Sequence, residues 1–209
     1  VGGQTRLTTP AVAQYAGRAA YRGTPSDDSV VRAIIRMREA GLKVTLNPFV
    51  MMDIPAGNTR PDPWTGAASQ PPHPWRGRIV CDPAPGRAGT VDGTAACRAQ
   101  VAALFGTAVA GDFTRIGTSV IYHGPDEWSL RRMVLHYAHL AVAAGGVEAI
   151  LIGSEMAALT RLTDDTGGPL LDGAPRPDVR GVGRQVVGEV AGRARLVRAV
   201  DRVDGEVRQ

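Results

Sequence analysis

The chain has 209 residues, of which 44% are hydrophobic and 21% charged, and its formal net charge is +4. These values are typical of a globular domain with a substantial core, and the lack of any run of about eighteen apolar residues excludes a membrane-spanning helix. All but one of the 24 basic residues are arginine, and they are dispersed along the chain, so we expect no nucleic-acid partner. Cys81 and Cys97 match no zinc signature and predict no disulfide framework.

The first clear elements form the helix-then-strand half of a βαβ unit. Thr24 is a candidate helix cap, followed by Pro25 in the first turn, and apolar residues then recur at helical spacing over 29–40. Gly41 is the expected end of this helix, and residues 42–52 predict a strand. The start of the chain lacks a Met and the layout of a signal peptide, so we expect a fragment or a processed piece.

Residues 53–93 are dense in proline and glycine and predict a long loop. A loop of this length inside a compact domain is usually functional or disordered. It carries Trp64, His73 and Trp75, and disordered segments are poor in aromatic residues. We therefore favour a functional loop.

The next elements continue the alternation of helices and strands. Helical propensity marks residues 94–106, a hairpin is predicted at 113–124 around Gly117, and a helix at 127–145 follows Pro125. The apolar strand 147–153 comes next and leads directly to Glu155. This order predicts an α/β fold with parallel strands, as in a barrel or a doubly wound sheet.

Composition changes after residue 163. Residues 164–209 contain no aromatic residue and consist mostly of Val, Gly, Arg, Asp and Ala. Valines recur at roughly helical spacing there, but each glycine within the pattern costs about 1 kcal/mol relative to Ala. We therefore expect a folded part over residues 1–163 and a low-complexity tail over 164–209 that is disordered or translated out of frame.

Three long stretches resemble one known family. They are "YRGTPSDDSVVRAI" (21–34), the segment 41–86 that begins "GLKVTLNPFVMMDIPAGN", and "WSLRRMVLHYAHLAVAAGGVEAILIGSEM" (128–156). Together they resemble the TIM-barrel-like, glycoside-hydrolase-like domain of gene transfer agent and phage tail baseplate hub proteins. The resemblance implies a partial (β/α)₈ barrel over residues 1–163, about the first half of a complete barrel of about 250 residues.

The resemblance gives Glu155 a candidate catalytic role. Residues at the carboxyl ends of barrel strands face the active-site mouth, and "LIGSE" looks like the position of the acid/base glutamate in many barrel glycosidases. Such enzymes need two carboxyl groups, and the second is absent in recognisable form. Asp53, at the end of the earlier predicted strand, is a candidate sugar-binding residue or, less favoured, the partner carboxylate. The alternatives are a helix-capping role for Glu155 and a turn role for Asp53.

The aromatic residues of the loop are candidate substrate contacts. Trp64, His73 and Trp75 would lie above the same mouth, where aromatic rings can pack on the C–H faces of sugars. Equally, the tryptophans could pin the loop onto the barrel. His136 and His139 have a spacing that can bring two imidazoles to one metal, but their apolar neighbours favour packing, and we expect neither a metal nor a cofactor.

The resemblance thus implies a tail component of a phage-like particle, assembled in the bacterial cytoplasm. Its partners would be cell-envelope polysaccharide or peptidoglycan and other tail or baseplate proteins. If active, it would hydrolyse a glycosidic bond with Glu155 as proton donor. The alternatives are a non-catalytic structural or glycan-binding module and a nonfunctional truncated fragment.

Overall fold

The computed structural model describes residues 25–48, 50–52 and 54–170, together with the backbone of four short strands near the two ends of the chain. Those four strands are β1 (Leu7–Thr9), β2 (Val12–Tyr15), β3 (Arg18–Ala19) and β8 (Arg195–Val197). The other strands are β4 (Thr45–Leu46), β5 (Phe113–Ile116), β6 (Ser119–Tyr122) and β7 (Ala149–Leu151). The helices are α1 (Asp27–Glu39), α2 (Ala95–Phe105) and α3 (Leu130–Ala143).

Three small sheets organise the strands. The order β4-β7-β8 is parallel throughout, β1-β2-β3 is an antiparallel meander, and β5 and β6 form a hairpin. Thr45 pairs with Ala149 and Leu46 with Ile150, so the two strands predicted at 42–52 and 147–153 are parallel neighbours in one sheet. This combination of helices and parallel strands is compatible with the predicted α/β class.

The predicted strand over 42–52 was too long. Of this range, Thr45 and Leu46 pair in the sheet, and Asn47, Pro48 and residues 50–52 have no regular structure. Pro48 explains the early end, because a proline has no N–H to donate to a neighbouring strand.

The helices begin at side-chain caps that differ in part from the predicted ones. Ser26 caps α1 by accepting a hydrogen bond from the backbone N–H of Ser29 at 3.2 Å, whereas Thr24 lies outside the described residues. Ser129 caps α3 by accepting from the N–H of Arg132 at 3.1 Å. α3 therefore begins three residues after Glu127, the predicted first residue, because the serine hydroxyl satisfies a free N–H of the first turn.

The core lies between α1, α3, the parallel sheet and the hairpin. α3 buries most of its length, including Leu135, Leu140 and Ala141, and α1 buries Val31 and Ile34 against it. The predicted loop is ordered over 54–93 and adds its own residues to this core: Ile54, Ile79, Val80, Cys81 and Ala84. The loop is therefore held in place by burial of apolar surface.

The described structure continues past residue 163 without a break. Asp164 and Leu170 are buried, and β8 lies within the segment predicted as a tail. The boundary at residue 163 stays a prediction. Within the part of the chain that is described, no helix is both long and apolar enough to cross a bilayer.

Candidate functional site

Glu155 lies just beyond the carboxyl end of β7, four residues after Leu151. Its backbone adopts a left-handed conformation, with φ of 57°, which a residue with a side chain rarely adopts. The side chain is 45% exposed. A strained residue with a carboxylate open to solvent is a common feature of functional sites.

Two donors from the long loop hold the Glu155 carboxylate. The indole N–H of Trp75 donates to Oε2 at 2.7 Å, and Nη2 of Arg76 lies 2.9 Å from the same oxygen. The loop and the end of β7 are thus joined through one oxygen atom. We call Trp75, Arg76, Ser154 and Glu155 the Glu155 cluster.

Further bonds fix the backbone around the cluster. Nε of Arg76 donates to the carbonyl oxygen of Ser154 at 3.1 Å, and the N–H of Ala158 donates to the carbonyl oxygen of Gly77 at 3.2 Å. The Arg76 side chain is only 13% exposed, so its hydrogen bonds are largely shielded from water. The segment 75–77 is therefore attached to the segment 154–158 on both sides of Glu155.

The Trp75 ring is fixed against backbone and yet open to solvent. A Cβ atom added to Gly77 would come within 2.3 Å of two ring carbons, so the indole packs directly over this glycine. Trp75 remains 53% exposed. Only glycine permits such a close approach, and the result is an indole held in one orientation with part of its surface free.

Trp64 has a different environment from Trp75. Its indole N–H donates to the carbonyl oxygen of Arg78 at 2.9 Å, and its ring packs against the core. The Arg78 guanidinium binds the buried Asp62, which also accepts the backbone N–H of Trp64 at 2.8 Å. These contacts are those of a residue that anchors the loop.

The other two candidate sugar-contacting residues are His73 and Asp53, of which the structure describes His73. His73 is exposed, has a positive φ of 44°, and donates its backbone N–H to the carbonyl oxygen of Ile54 at 2.7 Å. Asp53 lies outside the described residues. Of the five candidates from the sequence, the structure therefore brings Glu155 and Trp75 into direct contact.

The sequence did not identify two residues that matter for the cluster. Arg76 belongs to it, and Gly77 lies beneath the Trp75 ring. Arg76 is one of many arginines, and nothing in its neighbourhood separates it from the rest. Its position immediately after an exposed tryptophan in "HPWRGR" was the one available signal. The need for glycine at residue 77 follows from the path of the Trp75 ring, which no local pattern encodes.

His136 and His139 each bind their own partner. His136 Nε2 lies 2.9 Å from Oδ1 of Asp27, whereas Nδ1 of His139 lies 2.8 Å from the Arg115 guanidinium and its Nε2 lies 3.2 Å from the carbonyl oxygen of Ala110. Both histidines are buried. Among the residues that the structure describes, no group of three or more His, Cys, Asp or Glu side chains could hold a metal ion.

Glu127 lies shortly before α3 and binds residues at both ends of the segment between α2 and α3. Its carboxylate accepts hydrogen bonds from the Ser129 hydroxyl at 2.7 Å and from the backbone N–H groups of Thr107 and Ala108, each at 2.9 Å. Burial alone would raise the pKa of Glu127, but these hydrogen bonds outweigh it and lower the pKa. Glu127 is thus a structural carboxylate that connects the end of α2 to the start of α3.

The fold and the cluster define an α/β protein with a carboxylate at the carboxyl end of a parallel strand. Residues 128–192 match the family model of the GTA (gene transfer agent) TIM-barrel-like domain. The matched segment contains α3, β7 and Glu155, and it crosses the predicted boundary at residue 163. The match confirms the family resemblance and relates the chain to gene transfer agents, which are phage-like particles. No curated protein matches the chain.

Proposed function

We propose that this chain is part of a glycoside-hydrolase-like module, built on a partial (β/α)₈ barrel, in the tail of a gene-transfer-agent particle. In this proposal the Glu155 cluster contacts cell-envelope polysaccharide or peptidoglycan. The observation that carries it is the pairing of Glu155 with the exposed indole of Trp75 beyond the end of β7. Parallel-strand barrels bind their ligands at this end of the strands.

The chemistry of the cluster is suited to sugar recognition. An indole held in one orientation loses little conformational freedom when a sugar C–H face packs on it. The Glu155 carboxylate is half-exposed beside the ring and can accept hydrogen bonds from sugar hydroxyls. Arg76 offsets the charge of that carboxylate, so the site does not repel a neutral or an anionic glycan.

Glycan binding is the function that this geometry supports best. Binding requires only the exposed indole of Trp75 and the half-exposed carboxylate of Glu155, which are in direct contact. Hydrolysis is the second candidate, because Glu155 follows a parallel strand as catalytic carboxylates of barrel glycosidases do. It requires a second carboxylate, for which Asp53 is the candidate from the sequence.

A binding assay tests the first candidate. The chain is mixed with insoluble peptidoglycan sacculi, and the fraction that sediments is measured against polysaccharide concentration. We expect Trp75→Ala to weaken binding about tenfold, which corresponds to about 1.4 kcal/mol. Trp128→Ala is the matched control, because Trp128 is also exposed but packs on the Arg132 guanidinium. Equal losses in both variants, or no sedimentation of the parent chain, would exclude the Trp75 site.

A separate assay tests hydrolysis. Release of reducing ends from the same sacculi is followed for the parent chain and for Glu155→Gln, which removes the charge and keeps the side-chain shape. Catalysis by Glu155 predicts release by the parent chain and a loss of at least about 100-fold in the variant. Unchanged release in Glu155→Gln would remove this residue from the mechanism while leaving the binding result intact.

The location in the particle is tested by immunoelectron microscopy. Antibodies against the chain should label one end of intact particles, where the tail lies. Labelling over the whole capsid surface would contradict a tail or baseplate position.

A further inference from the structure

The two cysteines of the chain lie in contact inside the core. Cys81 comes from the second half of the long loop and Cys97 from the first turn of α2, and both are fully buried. Their thiol groups interact directly. Two thiols from different elements that meet in the core are candidates for a disulfide bond.

The backbone around both thiols is fixed independently. Gln100 lies one turn after Cys97 on α2, and its side chain bonds the backbone of Asp82 twice: Oε1 accepts the Asp82 N–H at 2.8 Å, and Nε2 donates to the Asp82 carbonyl oxygen at 2.9 Å. Thr94 caps α2 by accepting the N–H of Cys97 at 3.3 Å. These bonds hold the residue that follows Cys81 against the helix that carries Cys97.

We propose that Cys81 and Cys97 form an intramolecular disulfide under oxidising conditions, which attaches the second half of the long loop covalently to α2. The bond would join residue 81 to the start of α2 and would enclose residues 82–96. This inference is independent of the glycan proposal, since neither cysteine belongs to the Glu155 cluster.

The reaction requires an oxidant, and a low-molecular-weight disulfide such as oxidised glutathione supplies it. One cysteine thiolate attacks a glutathione sulfur and releases one glutathione thiolate, which leaves a mixed disulfide on the protein. The second cysteine thiolate then attacks the protein sulfur of that mixed disulfide, forms the Cys81–Cys97 bond and releases the second glutathione. The protein loses two electrons and two thiol protons, and one oxidised glutathione becomes two reduced ones.

Burial controls the rate of this step. Burial raises the pKa of both thiols, and that of Cys97 to about 12, so the reactive thiolate is scarce in the closed protein. Oxidation therefore proceeds during folding or through transient opening of the loop, and its rate should rise with pH. Once formed, the disulfide should be reduced slowly for the same reason, because a reductant reaches it only when the loop opens.

The test uses the full chain equilibrated with oxidised glutathione at a urea concentration that permits repeated opening. Denatured samples are then treated with an alkylating agent and analysed by intact mass and by non-reducing electrophoresis. We expect a monomer that lacks two hydrogen atoms and has no thiol left to alkylate. Its thermal midpoint should rise by roughly 5–10 °C, and a dithiol reductant should reverse the shift.

Two variants separate this outcome from general oxidation. Cys97→Ser leaves one thiol, which should take up glutathione and gain no thermal stability. Gln100→Ala keeps both thiols and should slow ring closure, so that mixed disulfides accumulate. Two alkylated thiols, two glutathione adducts or disulfide-linked dimers in the parent chain after equilibration would each overturn the proposal.

Discussion

Asp27 and Glu155 are both carboxylates with a positively charged or proton-donating partner, but they lie in opposite environments. Asp27 is buried at the start of α1, where its oxygens bind His136 Nε2 at 2.9 Å and the backbone N–H of Val120 at 3.1 Å. Glu155 is half-exposed beside an exposed indole. Of these two carboxylates, the one that a ligand can reach is Glu155. Burial therefore separates a carboxylate that holds three elements together from one that is available for binding.

The largest expected effect comes from Asp27→Ala. This change leaves His136 and the Val120 N–H buried without their acceptor, which should cost about 3 kcal/mol in the free energy of unfolding. Urea denaturation followed by circular dichroism measures it. Glu39→Ala on the same helix is the matched control, because its ion pair with Arg36 is exposed and should be worth less than about 0.5 kcal/mol. Equal losses would show that Asp27 has no special structural role.

The two loop tryptophans provide the next contrast. Trp64→Ala removes a ring packed on the core and a hydrogen bond to Arg78, so we expect a loss of about 2–3 kcal/mol. Trp75→Ala removes an exposed ring and should cost less than about 1 kcal/mol. Both values come from urea denaturation. A larger loss for Trp75 than for Trp64 would reverse the roles assigned to the two residues.

Local sequence signals predicted the elements better than the site. Gly41, Gly117 and the apolar spacing of α1 and α3 marked element types correctly, because such signals act within one or two turns of the chain. The strand β4 was predicted too long, because Pro48 ends the strand although apolar residues continue around it. The helix start at Leu130 was also missed, because Ser129 rather than an acidic residue supplies the cap.

The site depended on distant contacts that one sequence does not encode. Glu155 could be named from its place after a strand, but its bond to Trp75 joins residues 80 positions apart. The guanidinium of Arg76 and the bare backbone of Gly77 matter only because the loop folds back onto β7. Such pairings arise from the packing of the whole loop, so the sequence supplied candidates and the fold decided which of them meet.

The third prediction concerns Glu127, a partly buried carboxylate between the extremes of Asp27 and Glu155. Its pKa is lowered in the folded chain, so its stabilising contribution is complete above the unfolded value near pH 4.5 and is lost as pH falls through the folded pKa. Glu127→Gln should cost about 1–2 kcal/mol at neutral pH, and the difference from the parent chain should narrow below about pH 4. Urea denaturation at several pH values measures both.

Glu148→Gln is the control for this acid dependence. Glu148 is exposed, so the variant should follow the parent chain throughout the acid range. If the parent chain and Glu127→Gln kept a constant difference between neutral pH and about pH 3, the hydrogen-bonded carboxylate would not be the source of acid sensitivity.

The smallest expected effect tests the backbone at Glu155. Glu155→Ala and Glu155→Gly both remove the bonds to Trp75 and Arg76, but only glycine adopts a φ of 57° without strain. The relief is partly offset by the greater freedom of glycine in the unfolded chain, so the Gly variant should be more stable than the Ala variant by about 0.5–1 kcal/mol. Urea denaturation of the two variants measures the difference directly.

Two matched variants of Arg36 in α1 should show the opposite order of stability. Arg36 is exposed in the helix, where glycine is less stable than alanine by about 1 kcal/mol. Arg36→Gly should therefore be less stable than Arg36→Ala, the reverse of the order at Glu155. If glycine were the less stable residue at both positions, Glu155 would hold its left-handed conformation without measurable strain. The cluster would then be maintained by its side-chain bonds alone, and the strain would no longer distinguish Glu155 from an ordinary surface carboxylate.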